Sequence, residues 1–223
     1  MLTLSEKLLI LGLHDEEGGV VFSASMLLDY GLAGALLLEL YLARRIDLTD
    51  KDVTVIDSKT TQNDLLDEAL YLIVNSDKLR DAKYWLSKIH AKVKNTQTRL
   101  AEQLVNKQVL ARQERSFLWV IKYNRYPTKD AQPEIDIRSH LKSIVLMDAE
   151  PSEVDVALLS LVKACQLISE VFERSEQVIA KERIDELAKD DKISKAVKQT
   201  VEEITVALIM ILTTTTVVTT VTS

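Results

Sequence analysis

The sequence predicts a mainly α protein with one or two short β-hairpins. Three observations predict it. The 223 residues include only five Gly and three Pro, whereas the pair ordinarily makes up about 12% of a chain. An all-β fold needs turn residues every ~8–12 positions, and this chain lacks them. All five Gly (12, 18, 19, 31 and 34) also fall early, so the rest of the chain has none. Finally, apolar residues make up 47% of the chain and recur at helical spacing. Val154, Leu158, Leu161, Cys165, Ile168 and Phe172 form one such stripe, the mark of a helix face turned to a core.

The elements follow in order. Thr3 or Ser5 caps a first helix with Leu4, Leu8 and Leu11 on one face, and Gly12 ends it. His14 to Gly19 is a turn, and Val20 to Phe22 a short apolar run. Ser23 or Ser25 caps a helix over about 25–44 that is apolar nearly all round, hence central to a bundle. Its uncharged run, 30–38, is too short to span a bilayer. Ile46–Leu48 and Val53–Ile56 read as a hairpin. Helices follow at about 62–75, 79–91 and 93–108. Val109 to Tyr126 reads as a strand, a polar turn and a long strand on which Phe117, Trp119, Ile121 and Tyr123 share a face. Pro133 suits the first turn of a helix to about 147. Pro151 opens the stripe helix, and helices at about 175–189 and 191–212 finish the domain, residues 1–212. Ile204 to Ser223 carry no charged side chain, and eight of these twenty residues are Thr. Thr and Val favour helix poorly, so 213–223 is expected to be a frayed Thr/Val-rich tail and not a membrane anchor.

No catalytic chemistry is legible. The chain has no G-x-S-x-G, no Walker loop and no G-x-G-x-x-G. His14, His90 and His140 lack metal-ligand spacing. Cys165 sits on the apolar stripe, as a small buried hydrophobe does. No metal, cofactor or catalytic residue is expected, and the protein reads as a non-enzyme. One Cys and no basic-then-apolar leader at the start fit a cytoplasmic setting. The net charge of −6 is unevenly spread. Between Lys83 and Lys129 stand eleven Lys or Arg but only Glu102 and Glu114. A polyanion contact is the reading such a segment invites.

Five stretches together resemble the Golgi phosphoprotein 3 family. They are Leu2 to Leu13 with the acidic turn to Gly18; Gly31 to Leu40 leading into Arg45–Leu48; Asp64 to Leu70; Arg99 to Leu110 with its hairpin; and Asp148 to Phe172. The resemblance implies a single-domain helical bundle ringed by amphipathic helices with a protruding β-hairpin, and a peripheral membrane adaptor that recognises phosphatidylinositol 4-phosphate. Leu2 already begins the family motif, without a basic extension ahead of it, which suggests a bacterial member. The family's four headgroup contacts map to the Ser23/Ala24 region, Ala33, Lys94 and Gln97. Only Lys94 keeps a cation, and each lost charge-assisted contact costs ~1.5–3 kcal/mol. Lys92, Lys94 and Arg99 still attract anionic headgroups at about 1 kcal/mol per cation. The expected headgroup site is therefore Lys92, Lys94, Gln97 and Arg99.

In the family the hairpin contributes to membrane insertion or self-association. Phe117, Leu118, Trp119, Val120 and Ile121 are apolar on both strand faces, an aggregation liability unless covered. Trp119, Tyr123 and Tyr126 suit a membrane interface. The expected partners are anionic phospholipid and a second copy of the chain. The alternatives are a structural oligomer without lipid, or a winged-helix-like nucleic-acid binder. Against the last stand the net charge and an apolar, not basic, wing.

Overall fold

Thr3 starts helix α1 (Leu4–Leu11). Its hydroxyl accepts the Glu6 amide N–H while the Glu6 carboxylate accepts the Thr3 N–H, a reciprocal cap that satisfies two otherwise orphaned amides. This computed structural model describes all residues except 15, 22, 23, 25, 26, 50, 51, 118–120, 190–194, 222 and 223. Phe22, Ser23, Ser25 and Met26 of the predicted entry to the second helix lie outside the described residues.

Helix α2 (Leu28–Leu42) has no polar stripe and is accordingly the centre of the bundle. Leu32, Leu36, Leu37 and Leu40 are wholly buried. Around it pack α1, α3 (Asp64–Val74), α4 (Ala82–Lys92), α7 (Glu153–Ala164) and α10 (Lys195–Val221). Helices α5 (Thr96–Asn106), α6 (Gln132–Leu146), α8 (Ile168–Val171) and α9 (Gln177–Leu187) complete the ring. Gly31 is required by close approach, since a Cβ there would collide with the Cys165 sulfur. Burial pushes that thiol up to about 12, so Cys165 packs as the hydrophobe its position predicted.

The early hairpin forms as expected: β1 (Ile46–Thr49) pairs antiparallel with β2 (Asp52–Val55). A third strand, β3 (Arg80–Asp81), adds to β2. At two residues it is too short to leave a pattern in sequence.

Three expectations are corrected. The stripe from Val154 to Phe172 is not one helix. Chain direction changes at Gln166, in the left-handed region at φ 59, and α8 returns Ile168, Val171 and Phe172 to the same core. Periodicity survived the break because both pieces face the same way. The late hairpin is also shifted. Strand β4 (Gln113–Phe117) pairs antiparallel with β5 (Ile121–Arg125), Phe117 opposite Ile121. The polar segment expected as a turn is itself a strand, solvated on a projecting ribbon. Phe117 and Ile121 are cross-strand neighbours, not members of one long strand. Leu118, Trp119 and Val120 lie outside the described residues. Lastly, α10 runs to Val221 where a frayed tail was expected. Each Thr costs a helix only tenths of a kcal/mol, and the Thr213 hydroxyl reaches back to the Ile209 carbonyl at 3.1 Å.

The scarcity of Gly has a structural counterpart. Arg44, Gln62, Asn95, Gln108, Asp148 and Gln166 all take left-handed backbone, φ 54 to 65. Arg44, Gln108, Asp148 and Gln166 sit two residues beyond the last helical residue of α2, α5, α6 and α7, where Gly is the usual choice.

Candidate functional site

The joint between α4 and α5 carries all four predicted headgroup residues. Lys92 is the last residue of α4. Val93 drops into the core at 3% exposure and anchors the joint. Asn95 then turns left-handed (φ 55, ψ 32) and α5 begins at Thr96. The Thr96 hydroxyl donates to the Val93 carbonyl at 3.1 Å, so it closes the turn and does not cap the helix. No side chain caps α5, and its first turn holds no acid. Its leading amide N–H groups and its positive dipole end are thus left facing outward, the arrangement that takes anions.

The structure divides the four residues between two hollows. Lys94 and Gln97 line one of about 260 Å³ in front of the α5 end, together with Asp29, His90, Thr96 and Thr98. The His90 ring stacks on Tyr30 at 3.9 Å between centroids, which makes a flat wall. Lys92 and Arg99 instead line a groove of about 490 Å³ on the other side of Val93, shared with Asp64, Asp67, Glu68 and Tyr71. There the Arg99 guanidinium meets Glu68 at 2.9 Å, a half-exposed pair worth about 0–1 kcal/mol. Lys92 and Lys94 are exposed and make no ion pair among the described residues. Asp29 and Tyr30 were not singled out in sequence, and His90 was weighed only as a metal ligand. Asp29 and Tyr30 come from α2, and only the packing of α2 against α4 brings them here.

Of the other positions mapped by resemblance, Ala33 is buried within α2 at 2% exposure and Ala24 at 0%. Neither offers a donor to a headgroup. Ser23 lies outside the described residues.

The hairpin grows from the neighbouring edge. Tyr126, just past β5, donates its amide to the Gly18 carbonyl at 3.1 Å. Gly18 has φ 59, and a Cβ on it would run into the Tyr126–Pro127 backbone, so this turn position needs glycine. The Tyr126 hydroxyl donates to Glu102 at 2.9 Å. Burial and this carboxylate raise the phenol above its ordinary range. Beyond this root, β4 and β5 pack chiefly on each other, and their polar side chains from Gln113 to Ser116 are exposed. A second face of Gln97 lines the hollow at the root, with Gly18, Gly19, Tyr123 and Arg125.

No group of three or more metal-ligating side chains occurs among the described residues. No helix among them is long and apolar enough to cross a membrane.

These features define a helical scaffold with an uncapped, cation-flanked helix end and a projecting hairpin beside it. The family model for Golgi phosphoprotein 3 (GPP34) matches residues 4–204, and the chain belongs to that family. It is similar to Vacuolar protein sorting-associated protein 74 of Eremothecium gossypii, 31% identical over 165 residues, covering 65% of this chain and 49% of the relative. The protein of the same name in Schizosaccharomyces pombe is 29% identical over 165 residues, with 65% and 48% covered. The chain spans about half the length of these curated relatives.

Proposed function

We propose that the protein is a peripheral membrane adaptor that binds an anionic phospholipid headgroup at the N-terminal end of α5. By family resemblance the headgroup is phosphatidylinositol 4-phosphate and the membrane that of the Golgi or its counterpart. The observation that carries the reading is the α5 end itself, uncapped and without acids in its first turn, with Lys94 beside it. Lys94 and Lys92 supply attraction at about 1 kcal/mol each, and the amides supply directed donors. Arg99, held by Glu68, contributes less than its charge suggests. The hairpin inserts its apolar tip into the bilayer or pairs with a second copy. Its strands pack chiefly on each other, which favours such a role. Family membership takes the place of the winged-helix alternative.

The test is cosedimentation with phosphatidylcholine vesicles, with and without phosphatidylinositol 4-phosphate or phosphatidylserine, at rising salt. Binding is expected only with anionic lipid, weakening with salt and falling several-fold in Lys94→Glu. No binding at low salt, or an unchanged Lys94→Glu variant, overturns the proposal. For self-association, light scattering on Trp119→Asp is the measurement. An unchanged mass rules out assembly through this hairpin.

A further inference from the structure

A further hollow, of about 380 Å³, lies between the end of α3, the 75–81 connection and α4. Three cations line it, Lys78, Arg80 and Lys88, against a single carboxylate, Asp77. None of the three forms an ion pair among the described residues, whereas Arg45, Arg99, Lys107, Arg112, Arg138, Lys142, Lys163 and Arg183 each do. Like charges gathered around one cavity repel unless an anion joins them. They are also held on ordered elements. Arg80 is on β3, paired with Val53, and its guanidinium lies over the Tyr84 ring at 4.9 Å. Lys88 is on α4. The Ser76 hydroxyl donates to the Lys78 carbonyl at 2.8 Å, and the Asn75 amide to the Tyr71 carbonyl at 2.8 Å, which fixes the connection. Trp85, 2% exposed, forms part of the wall, and its buried indole N–H has no acceptor among the described residues. Lys78 and Arg80 follow the C-terminal end of α3 and partly answer its dipole. Lys88, in the body of α4, has no such explanation.

We infer that this hollow is a second anion site, separate from the α5 end, that takes a phosphorylated polyol. The phosphate sits among Lys78, Arg80 and Lys88, and the ring lies against Tyr71 and Tyr84. The volume falls within the ~300–1,000 Å³ of small-molecule sites. Arg80, already held on Tyr84, loses little freedom on binding. The phosphate's source is either a free metabolite or a lipid headgroup, and the two arms of the test separate them.

The chain has two Trp, so in a Trp119→Phe background Trp85 is the sole indole reporter. Its emission is followed during titration with inositol monophosphate, with inorganic phosphate, and with phosphatidylcholine vesicles containing phosphatidylinositol. A saturable change with inositol monophosphate, tighter than with inorganic phosphate, identifies a free ligand. A change with vesicles alone identifies a headgroup. In either case Lys78→Ala/Lys88→Ala should weaken binding about tenfold or more, and for the free ligand Lys94→Glu leaves it within about twofold. No saturable change with any probe, or equal binding by the Lys78→Ala/Lys88→Ala variant, overturns the site. Binding lost in Lys94→Glu but kept in Lys78→Ala/Lys88→Ala would assign the anion to the α5 end and overturn it too.

Discussion

Replacing Gln166 by Gly should stabilise this protein, although the same replacement inside a helix weakens one. Gln166 is exposed and sits at φ 59, between α7 and α8. Left-handed backbone costs an L-residue roughly 1–2 kcal/mol through the Cβ. Glycine escapes that cost but adds about 0.4–1 kcal/mol of entropy to the unfolded chain. The balance is a gain of about 0.5–1 kcal/mol, or a Tm increase of about 1–4 °C for a domain of this size. The internal comparison is Gln103→Gly in the body of α5, which should cost about 1 kcal/mol. Urea unfolding of the two variants beside the parent measures both changes at unchanged m-value. One amino-acid exchange would thus carry opposite signs at two positions. If Gln166→Gly destabilises as much as Gln103→Gly, left-handed strain is not what the backbone angle costs here, and the reasoning fails.

Two further predictions rest on the α2–α7 contact. Gly31→Ala forces a Cβ into the Cys165 sulfur and should cost about 1–3 kcal/mol. Adding Cys165→Ala should restore part of that, and a double-mutant cycle with no coupling would refute the contact as the cause. The thiol also predicts alkaline behaviour. Because burial raises it from 9.0 to about 12, its contribution is intact below pH 9. The unfolded chain then gains by ionising first, and stability falls as pH rises toward about 12, by at most ~1.4 kcal/mol per unit. The stability difference between the parent and Cys165→Ala should narrow over that range, and parallel pH curves would contradict it.

Much of the fold was legible because it rests on local signals. The helices announce themselves by apolar spacing and by start signals such as the Thr3 cap and Pro133, whereas the caps Asn63 and Ser152 emerge only in the fold. The all-apolar α2 could only be central. What escaped was set by tertiary context. The break at Gln166 left the stripe's period intact, and a polar strand on a solvated ribbon looks like a turn when read alone. The candidate site was half legible. Lys92, Lys94, Gln97 and Arg99 fall on one joint as expected, but the core position of Val93 splits them between two hollows. Arg99 is further drawn to Glu68, from a helix far away in sequence. Nothing local in the sequence signals that competition. The cations between α3 and α4, Lys78, Arg80 and Lys88, fell outside or at the edge of the basic stretch, and only the fold of β3 beside α4 gathers them.

The root of the late hairpin has a mechanical consequence. Five paired residues on each strand make an arm about 17 Å long. It is pinned at Gly18 and Tyr126, while Gln97 of the α5 end lines the hollow just under the pin. The hairpin root and the first turn of α5 therefore share one hollow, and a swing of the ribbon about Gly18 would reshape the wall that Gln97 forms with Tyr123 and Arg125.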